Sequence, residues 1–538
     1  MGINRLLKLV ILVLLTFVVI FQLSFSLVAS WGEPQIQSRL ELYQTNLLLH
    51  AAQWQGGKTQ AQEALLGGEP FKNAQNQYED ALAANETTQS KIFAKLQELS
   101  SQKIATATSP DIGKSQLELA PIDKTETAKA QQRKLQESLS QTKQLMTELK
   151  LRLGIIQAAQ GETDAALKTW GELKKENVVG GNSESLTSSI ETATVLIGLW
   201  SKPPQLLPDA EAEIHQNLDS WFRYRGLTEL YKIQQRQDVL LSLETQEQNI
   251  AQQSIVKLAV IGLIPGIGGL VGVGLLVFIV AQRLLQGRRS LLSTNADITW
   301  ETPWNGEIIW QVLILGFFFF GQLLLPLLIG ELLQIFSLDP SNFTARMKAL
   351  YTLSTYIMLA FWGLLILYFS IKQFFPLSED WFRFKFRSNW FFWGLGGYLV
   401  ALPLVIGVSL INQQLWKGQG GSNPILPLVL EGQDNIALLI FFMTACFAAP
   451  LFEEMMFRGF LLPSLTRYLP VWGAIILSSL VFAIAHLSLS EVLPLTTLGI
   501  VLGVVYSRSR NLLAPMLLHS LWNSGTLLSL FILGSGSN

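Results

Sequence analysis

LFEEMMFRG, residues Leu451 to Gly459, sets two adjacent carboxylates and an arginine among apolar runs long enough to cross a membrane. An ionised side chain in hydrocarbon costs roughly 3 kcal/mol or more unless it faces protein or water. Glu453, Glu454 and Arg458 therefore need partners. Two later segments with helical periodicity offer them: VFAIAHLS, with Phe482 and His486, and LLHSLWNS, with His519 and Asn523. In each segment the two named residues stand at i and i+4 and share one helix face. The chain has four histidines, and two of them fall in these segments.

Around this stretch the composition divides the chain. Hydrophobic residues make up 49% of the 538 residues and charged residues 15%, on the membrane side of ordinary globular composition. From Trp31 to Gln253 the sequence is polar and rich in Gln, Glu, Lys, Thr and Ala, whereas long apolar runs dominate from Leu258 onward. The expected fold is all-α: a polytopic membrane helical bundle with an amino-terminal anchor helix and a soluble helical domain. A formal net charge of −1 leaves no electrostatic footprint for nucleic acid. The single cysteine, Cys446, rules out an intrachain disulfide, and no CxxC, HExxH or Cys/His cluster marks a structural zinc site.

Four regions follow from the pattern. Residues 1–29 form an uncleaved transmembrane anchor: Leu6 to Val28 is apolar at spanning length, Arg5 and Lys8 flank or interrupt it, and Ala29-Ser30-Trp31 is a poor cleavage site. Residues 30–254 form the soluble helical domain, with apolar residues at helical spacing, as in Leu135, Leu139, Met146, Leu149 and Leu153. Within it, LRLGIIQAAQGETDAALKTWGEL carries Leu153-Gly154, Gly161, Ala166 and Trp170 at the offsets of one tetratricopeptide-like repeat. The glycines suit close approach or a turn, and the alanine suits helix contact. Loops are expected at Ala105 to Pro110 and Val179 to Ser185.

Residues 255–430 hold spans at Leu258–Gln282, kinked or closely packed through Pro265-Gly266, and at about Ile308–Phe336, Tyr351–Ile371 and Trp390–Ile411. Trp381, Phe382, Phe384, Phe386 and Trp390 suit an interfacial aromatic belt. Residues 431–538 hold the three motifs, with spans at Ile436–Pro450, Val471–Leu487, Val492–Tyr506 and Leu512–Leu533. Arg283, Arg288, Arg289, Lys372, Arg383, Lys385 and Arg387 mark cytoplasmic flanks by the positive-inside rule. The protein is thus expected to be a multi-pass integral membrane protein with a cytoplasmic amino terminus and an extracytoplasmic helical domain. Strict alternation of these spans separates the Glu pair from His486. Short, tilted or re-entrant helices, or a misplaced boundary, would reunite them.

Neighbouring residues on a helix point about 100° apart, so Glu453 and Glu454 have different tasks. Glu454 stands i and i+4 from Arg458, which makes a structural ion pair. Glu453 is left to face a site. Pro450 suits a kink or the first turn of a new helix. A carboxylate, two imidazoles and an amide suffice to hydrolyse a peptide bond without a covalent intermediate, the Glu and one His sharing a water. The same groups, Glu453, His486 and His519, form a 2-His-1-carboxylate set able to hold zinc or another divalent metal. Residue chemistry leaves both mechanisms open.

EEMMFRG, FAIAH and HSLWN, with a Gly-rich LGIVLGVVYSRSRNLLAP between the second and third, resemble the three-motif signature of the CPBP intramembrane endopeptidases, the CAAX-prenyl-protease and bacteriocin-processing family also called ABI. The resemblance covers roughly the last hundred residues. It implies a catalytic set of Glu453, Glu454, His486, His519 and Asn523, with Arg458 and Phe482 as structural motif residues. By position, Glu453 would be the base, His486 would share its water, and His519 with Asn523 would form the oxyanion site. It favours a glutamate mechanism with no cofactor expected, and leaves a divalent metal such as zinc open. The implied substrate is a membrane protein or peptide at the bilayer, and the added helical domain would receive substrate or a protein partner. The competing reading is a non-proteolytic membrane scaffold acting through that domain.

Overall fold

The computed structural model describes residues 3–31, 33, 35–57, 66–107, 124–176, 184–432 and 434–535. Among these residues the regular structure is helical with no strand. The chain divides into two compact units, residues 41–258 and residues 1–40 with 259–535.

The helical unit is built from α2 (Gln37–Ala51), α3 (Pro70–Ala107), α4 (Lys124–Ala159), α5 (Thr163–Glu176), α6 (Glu184–Trp200), α7 (Ala210–Asn217), α8 (Ser220–Ile233) and the start of α9 (Gln237–Gln286). Its core gathers Tyr78, Ile155, Ile156, Trp170, Leu196, Trp221 and Phe222. The α4–α5 hairpin follows the glycine spacing. Gly161 turns the chain at φ +86°, and Gly154 lies so close to Trp170 that a Cβ there would sit 2.2 Å from Nε1. Trp170 Nε1 donates to the Leu151 carbonyl at 3.0 Å, and Ala166 is fully buried between the helices. A buried polar group ties three helices: His50 on α2 contacts Glu247 Oε1 on α9 through Nδ1 and Ser220 Oγ on α8 through Nε2, each at 2.8 Å. Of the expected loops, residues 105–107 finish α3 and residues 184–185 begin α6, and the remainder lies outside the described residues.

In the membrane unit, α1 (Ile3–Ser30) is the anchor. Its polar residues are matched by neighbours on α10 (Gly306–Ile335): Lys8 pairs with Glu307 at 2.9 Å, and Thr16 accepts from Trp310 Nε1 at 2.8 Å. These partners explain how a lysine is tolerated in the anchor. Then follow α11 (Ala345–Ile371), α12 (Trp390–Trp416), α13 (Ile425–Leu430), α14 (Asn435–Leu465), α15 (Val471–Ile484), α16 (Val492–Ser509) and α17 (Leu513–Gly534). Among the described residues eight helices are long and apolar enough to cross a membrane. The chain is an integral membrane protein.

Three expectations change here, and one alternative is decided. The span expected at Val471–Leu487 is α15, a 14-residue helix, which at 1.5 Å per residue reaches about 21 Å and falls short of a bilayer core of about 30 Å. The span expected to stop at Pro450 continues to Leu465, so Glu453 lies well inside α14. The alternation conflict disappears, because one helix is short and the other long. Trp381 is a buried core residue packed on Trp304 at 4.3 Å rather than part of a belt, whereas Phe386 stays exposed. Pro265 is absorbed in one continuous α9, where close packing is what the glycines serve: a Cβ on Gly272 would sit 1.9 Å from the Leu399 carbonyl oxygen.

Replacing Gly154 by Leu drives a side chain into Trp170 and is expected to destabilise the helical unit by about 1–3 kcal/mol. Thermal unfolding of the full chain, followed by circular dichroism, should show a lower midpoint. An unchanged midpoint would mean that the hairpin is not constrained by this contact.

Candidate active site

Pro450 sets the local geometry of α14. Two segments of this helix, Thr444–Ala448 and Met455–Leu461, are π-helical. In the first, the Ala449 N–H donates to the Thr444 carbonyl, five residues back. The next donor in that register would be Pro450, which has no N–H. The Ala445 carbonyl is thereby left open, and Asn523 Nδ2 on α17 donates to it at 2.7 Å. A proline just ahead of one motif thus orients the asparagine of another, and α14 stays continuous instead of starting anew.

One turn further on, Arg458 Nη1 donates to Glu454 Oε1 at 2.8 Å, and both side chains are fully buried. Arg458 Nη2 donates to the Gly499 carbonyl at 3.2 Å, and the guanidinium lies over the Phe482 ring at 4.5 Å. This is the ion pair that the spacing predicts. It carries a third member that the spacing does not reveal: His519 Nδ1 lies 2.8 Å from the same Glu454 oxygen. That oxygen already accepts from arginine, so His519 holds a proton on Nδ1 and turns Nε2 away from the pair. Nε2 lies 3.9 Å from Glu453 Oε2. Phe482 is fully buried and stands edge-on to both His486 and His519, with centroids 5.0 and 5.8 Å away.

His486 is fixed by its own helix end. Its Nδ1 lies 2.9 Å from the Phe482 carbonyl, which can only accept, so the proton is on Nδ1 and neutral His486 keeps a bare Nε2. Glu453 accepts from the Tyr356 hydroxyl of α11 at Oε1, 2.8 Å away, and its buried Oε2 has no hydrogen-bond partner.

These groups meet a cavity of about 660 Å³. Glu453, His486, His519, Trp522 and Asn523 line it, and Glu454 and Arg458 lie behind its wall. The adjacent glutamates are therefore separated as the 100° turn predicts. Glu453, His486 and His519 are the residues a metal would use. Among the described residues, however, no three His, Cys, Asp or Glu side chains come together as a ligand set.

Three polar wall residues had not been singled out in the sequence. Tyr356 and Gln322 come from ahead of the three motifs, and nothing in their local sequence marks them. Gln322 Nε2 donates to the Ala485 carbonyl at the end of α15, at 2.7 Å. Glu491, by contrast, had a legible signal as an acidic residue at the head of an apolar run.

Comparison with known proteins places a protease-family match on the segment that holds the three motifs. Residues 435–525 match the Type II CAAX prenyl endopeptidase Rce1-like family. The membrane-embedded CAAX protease MroQ of Staphylococcus aureus is 27% identical over 137 residues, 24% of this chain and 54% of that protein. YdiL of Bacillus subtilis, which carries a provisional membrane-peptidase name, is 24% identical over 132 residues, 24% of this chain and 53% of that protein. The chain therefore spans about half the length of each of these relatives. No solved structure matches it.

Removing the arginine leaves a buried carboxylate without its charge partner, a loss of about 3–5 kcal/mol. Arg458→Ala should accordingly lower the amount of full-length chain in membranes, measured by quantitative immunoblot against the native protein. Native abundance would show that Glu454 does not depend on the pair.

Proposed function

We propose that the chain is an intramembrane endopeptidase that hydrolyses a peptide bond of a membrane-associated protein or peptide. The observation that carries this reading is the pair of proton acceptors on one cavity wall, Glu453 Oε2 without a partner and His486 with a bare Nε2. A water between them loses a proton to Glu453 as its oxygen attacks the carbonyl carbon. The oxyanion that forms is met by His519 and by the Asn523 amide N–H not given to Ala445. With Nδ1–H engaged by Glu454, His519 has an Nε2–H to donate only as the imidazolium. Collapse of the tetrahedral species breaks the C–N bond. The proton held at the site passes to the leaving amine, and Glu453 and His486 return to their starting forms.

Tyr356 acts through Glu453 and is a positioning residue, holding Oε1 so that Oε2 faces the cavity. Glu454 acts through His519 in the same sense. In this account no step passes through a metal. The amino terminus is proposed to be cytoplasmic and the helical domain extracytoplasmic. The basic flanks beside Arg283, Arg288 and Arg289 support that orientation. Arg508 and Arg510 support it less, being buried, with the Arg510 guanidinium 3.5 Å above the Trp300 ring. We assign to the helical domain the recruitment of substrate or a protein partner.

The test compares the new termini of membrane proteins by mass spectrometry in cells lacking the chain, restored with native protein or with Glu453→Gln at equal abundance. A terminus found only with the native protein is expected, and it would name the substrate. Equal phenotypic rescue with no differing terminus would favour the scaffold reading. On an identified substrate, Glu453→Gln, His486→Ala and His519→Ala should each slow cleavage by about 10²–10⁴-fold while the chain still inserts. Normal turnover by Glu453→Gln would remove Glu453 as the base. Tyr356→Phe should lower the rate by about tenfold with substrate affinity retained, as expected when one hydrogen bond orients a catalytic group.

A further inference from the structure

The cavity wall carries a charge pattern that the hydrolytic mechanism leaves unused. Among the described residues its wall includes two carboxylates, Glu453 and Glu491, and no lysine or arginine; its only other titratable nitrogens are His486 and His519. Glu491 ends the short turn Leu489–Glu491 that follows His486, and one of its oxygens accepts from the Asn423 N–H at 2.7 Å. That single neutral donor leaves the rest of the carboxyl group facing a mostly apolar space.

The unpaired polar atoms of the wall point the same way. Asn412 is buried, its Nδ2 is given to the Ser490 carbonyl at 2.6 Å, and its Oδ1 has no partner. Gln322 likewise gives Nε2 to the Ala485 carbonyl and keeps Oε1 without a partner. Both amides are fixed by carbonyl acceptors, so the free atoms are oxygens. With Glu453 Oε2, three lining residues present acceptors that await donors. Backbone N–H groups of an extended peptide can meet the amide oxygens. A carboxylate in so apolar a space calls for a cation, since an unpaired buried charge is costly.

We infer that the cavity binds a segment carrying a basic residue next to the scissile bond, whose lysine or arginine side chain is received by Glu491. This rests on the proposed function and adds the substrate class. A free carboxy-terminal carboxylate would meet the carboxyl groups of Glu453 and Glu491 and no lysine or arginine, so the bond cleaved is placed internal to its polypeptide.

The test uses the full-length chain in nanodiscs of uncharged phosphatidylcholine, with empty nanodiscs as the blank. Fluorescent peptides, N-acetylated and C-amidated, of one apolar sequence carry Lys, Gln or Glu at the centre, and binding is read by anisotropy. The Lys peptide is expected to bind at least tenfold tighter than the Gln peptide, with the Glu peptide weakest. Glu491→Gln should bring the Lys-to-Gln ratio to within twofold of one, and Glu491→Asp, which keeps the charge, should retain the preference. Equal binding of Lys and Gln peptides to the native chain would overturn the proposal, as would a Lys preference that survives Glu491→Gln. So would tighter binding of a peptide with a free carboxylate, or an unacetylated Gln peptide that matches the Lys peptide, which would assign the cation to an amino terminus. Because the readout is binding, a Lys preference without any Glu453-dependent cleavage would sink the peptidase reading and leave standing only the cavity's preference for a basic residue through Glu491.

Discussion

A buried arginine, Arg458, holds the carboxylate of Glu454, and that carboxylate holds Nδ1 of His519. Few interactions are more demanding of their surroundings. Each charge would cost several kcal/mol alone in this interior, so the pair is stable only while both members are present. The Gly499 carbonyl and the Phe482 ring also face the guanidinium, while Arg458 Nε and Glu454 Oε2 are buried without a hydrogen-bond partner. Once the pair is in place, the imidazole of His519 has one orientation and a protonated Nδ1, and Nε2 is turned toward Glu453. The ion pair touches no cavity surface, yet it decides how a cavity residue presents its chemistry.

The same economy recurs along α14. Pro450 removes one backbone donor, the π register shifts the vacancy to the Ala445 carbonyl, and Asn523 fills it. Irregular helix at membrane depth is tolerated because its freed groups are satisfied by protein. The short α15 then ends inside the bundle, so that His486 sits beside the middle of a longer helix. Residues ahead of the family segment finish the wall. Tyr356 fixes one oxygen of Glu453, and Gln322 caps the end of α15. The site is a joint product of the matched segment and the helices around it.

Much of this could be read from the sequence, and the rest shows where local patterns stop. The i and i+4 pairing of Glu454 with Arg458 and the divergence of the two glutamates are properties of a single helix, and both were legible. So was the α4–α5 hairpin, since Gly154, Gly161 and Ala166 report short-range contacts. The contact of His519 with Glu454 joins residues 65 positions apart, and the hydrogen bond from Tyr356 to Glu453 joins residues 97 apart. No periodicity encodes either. Span boundaries failed for a related reason: hydropathy measures how apolar a run is, whereas the length of α15 is set by Leu487, which takes a left-handed conformation at φ +58° just past its end. Trp381 looked interfacial because aromatic clusters near basic residues often are, and its burial against Trp304 depends on a loop partner far away in sequence.

The arrangement of His519 is open to direct observation, because the chain has only four histidines. Nitrogen-15 NMR of the full-length protein labelled at histidine, with His519 assigned by comparison with a His519→Gln sample, reports the protonation of each ring nitrogen. The account predicts a protonated Nδ1 on His519 whose resonance shifts when Glu454 is replaced by Gln. A His519 with a bare Nδ1, or one indifferent to the loss of Glu454, would contradict it.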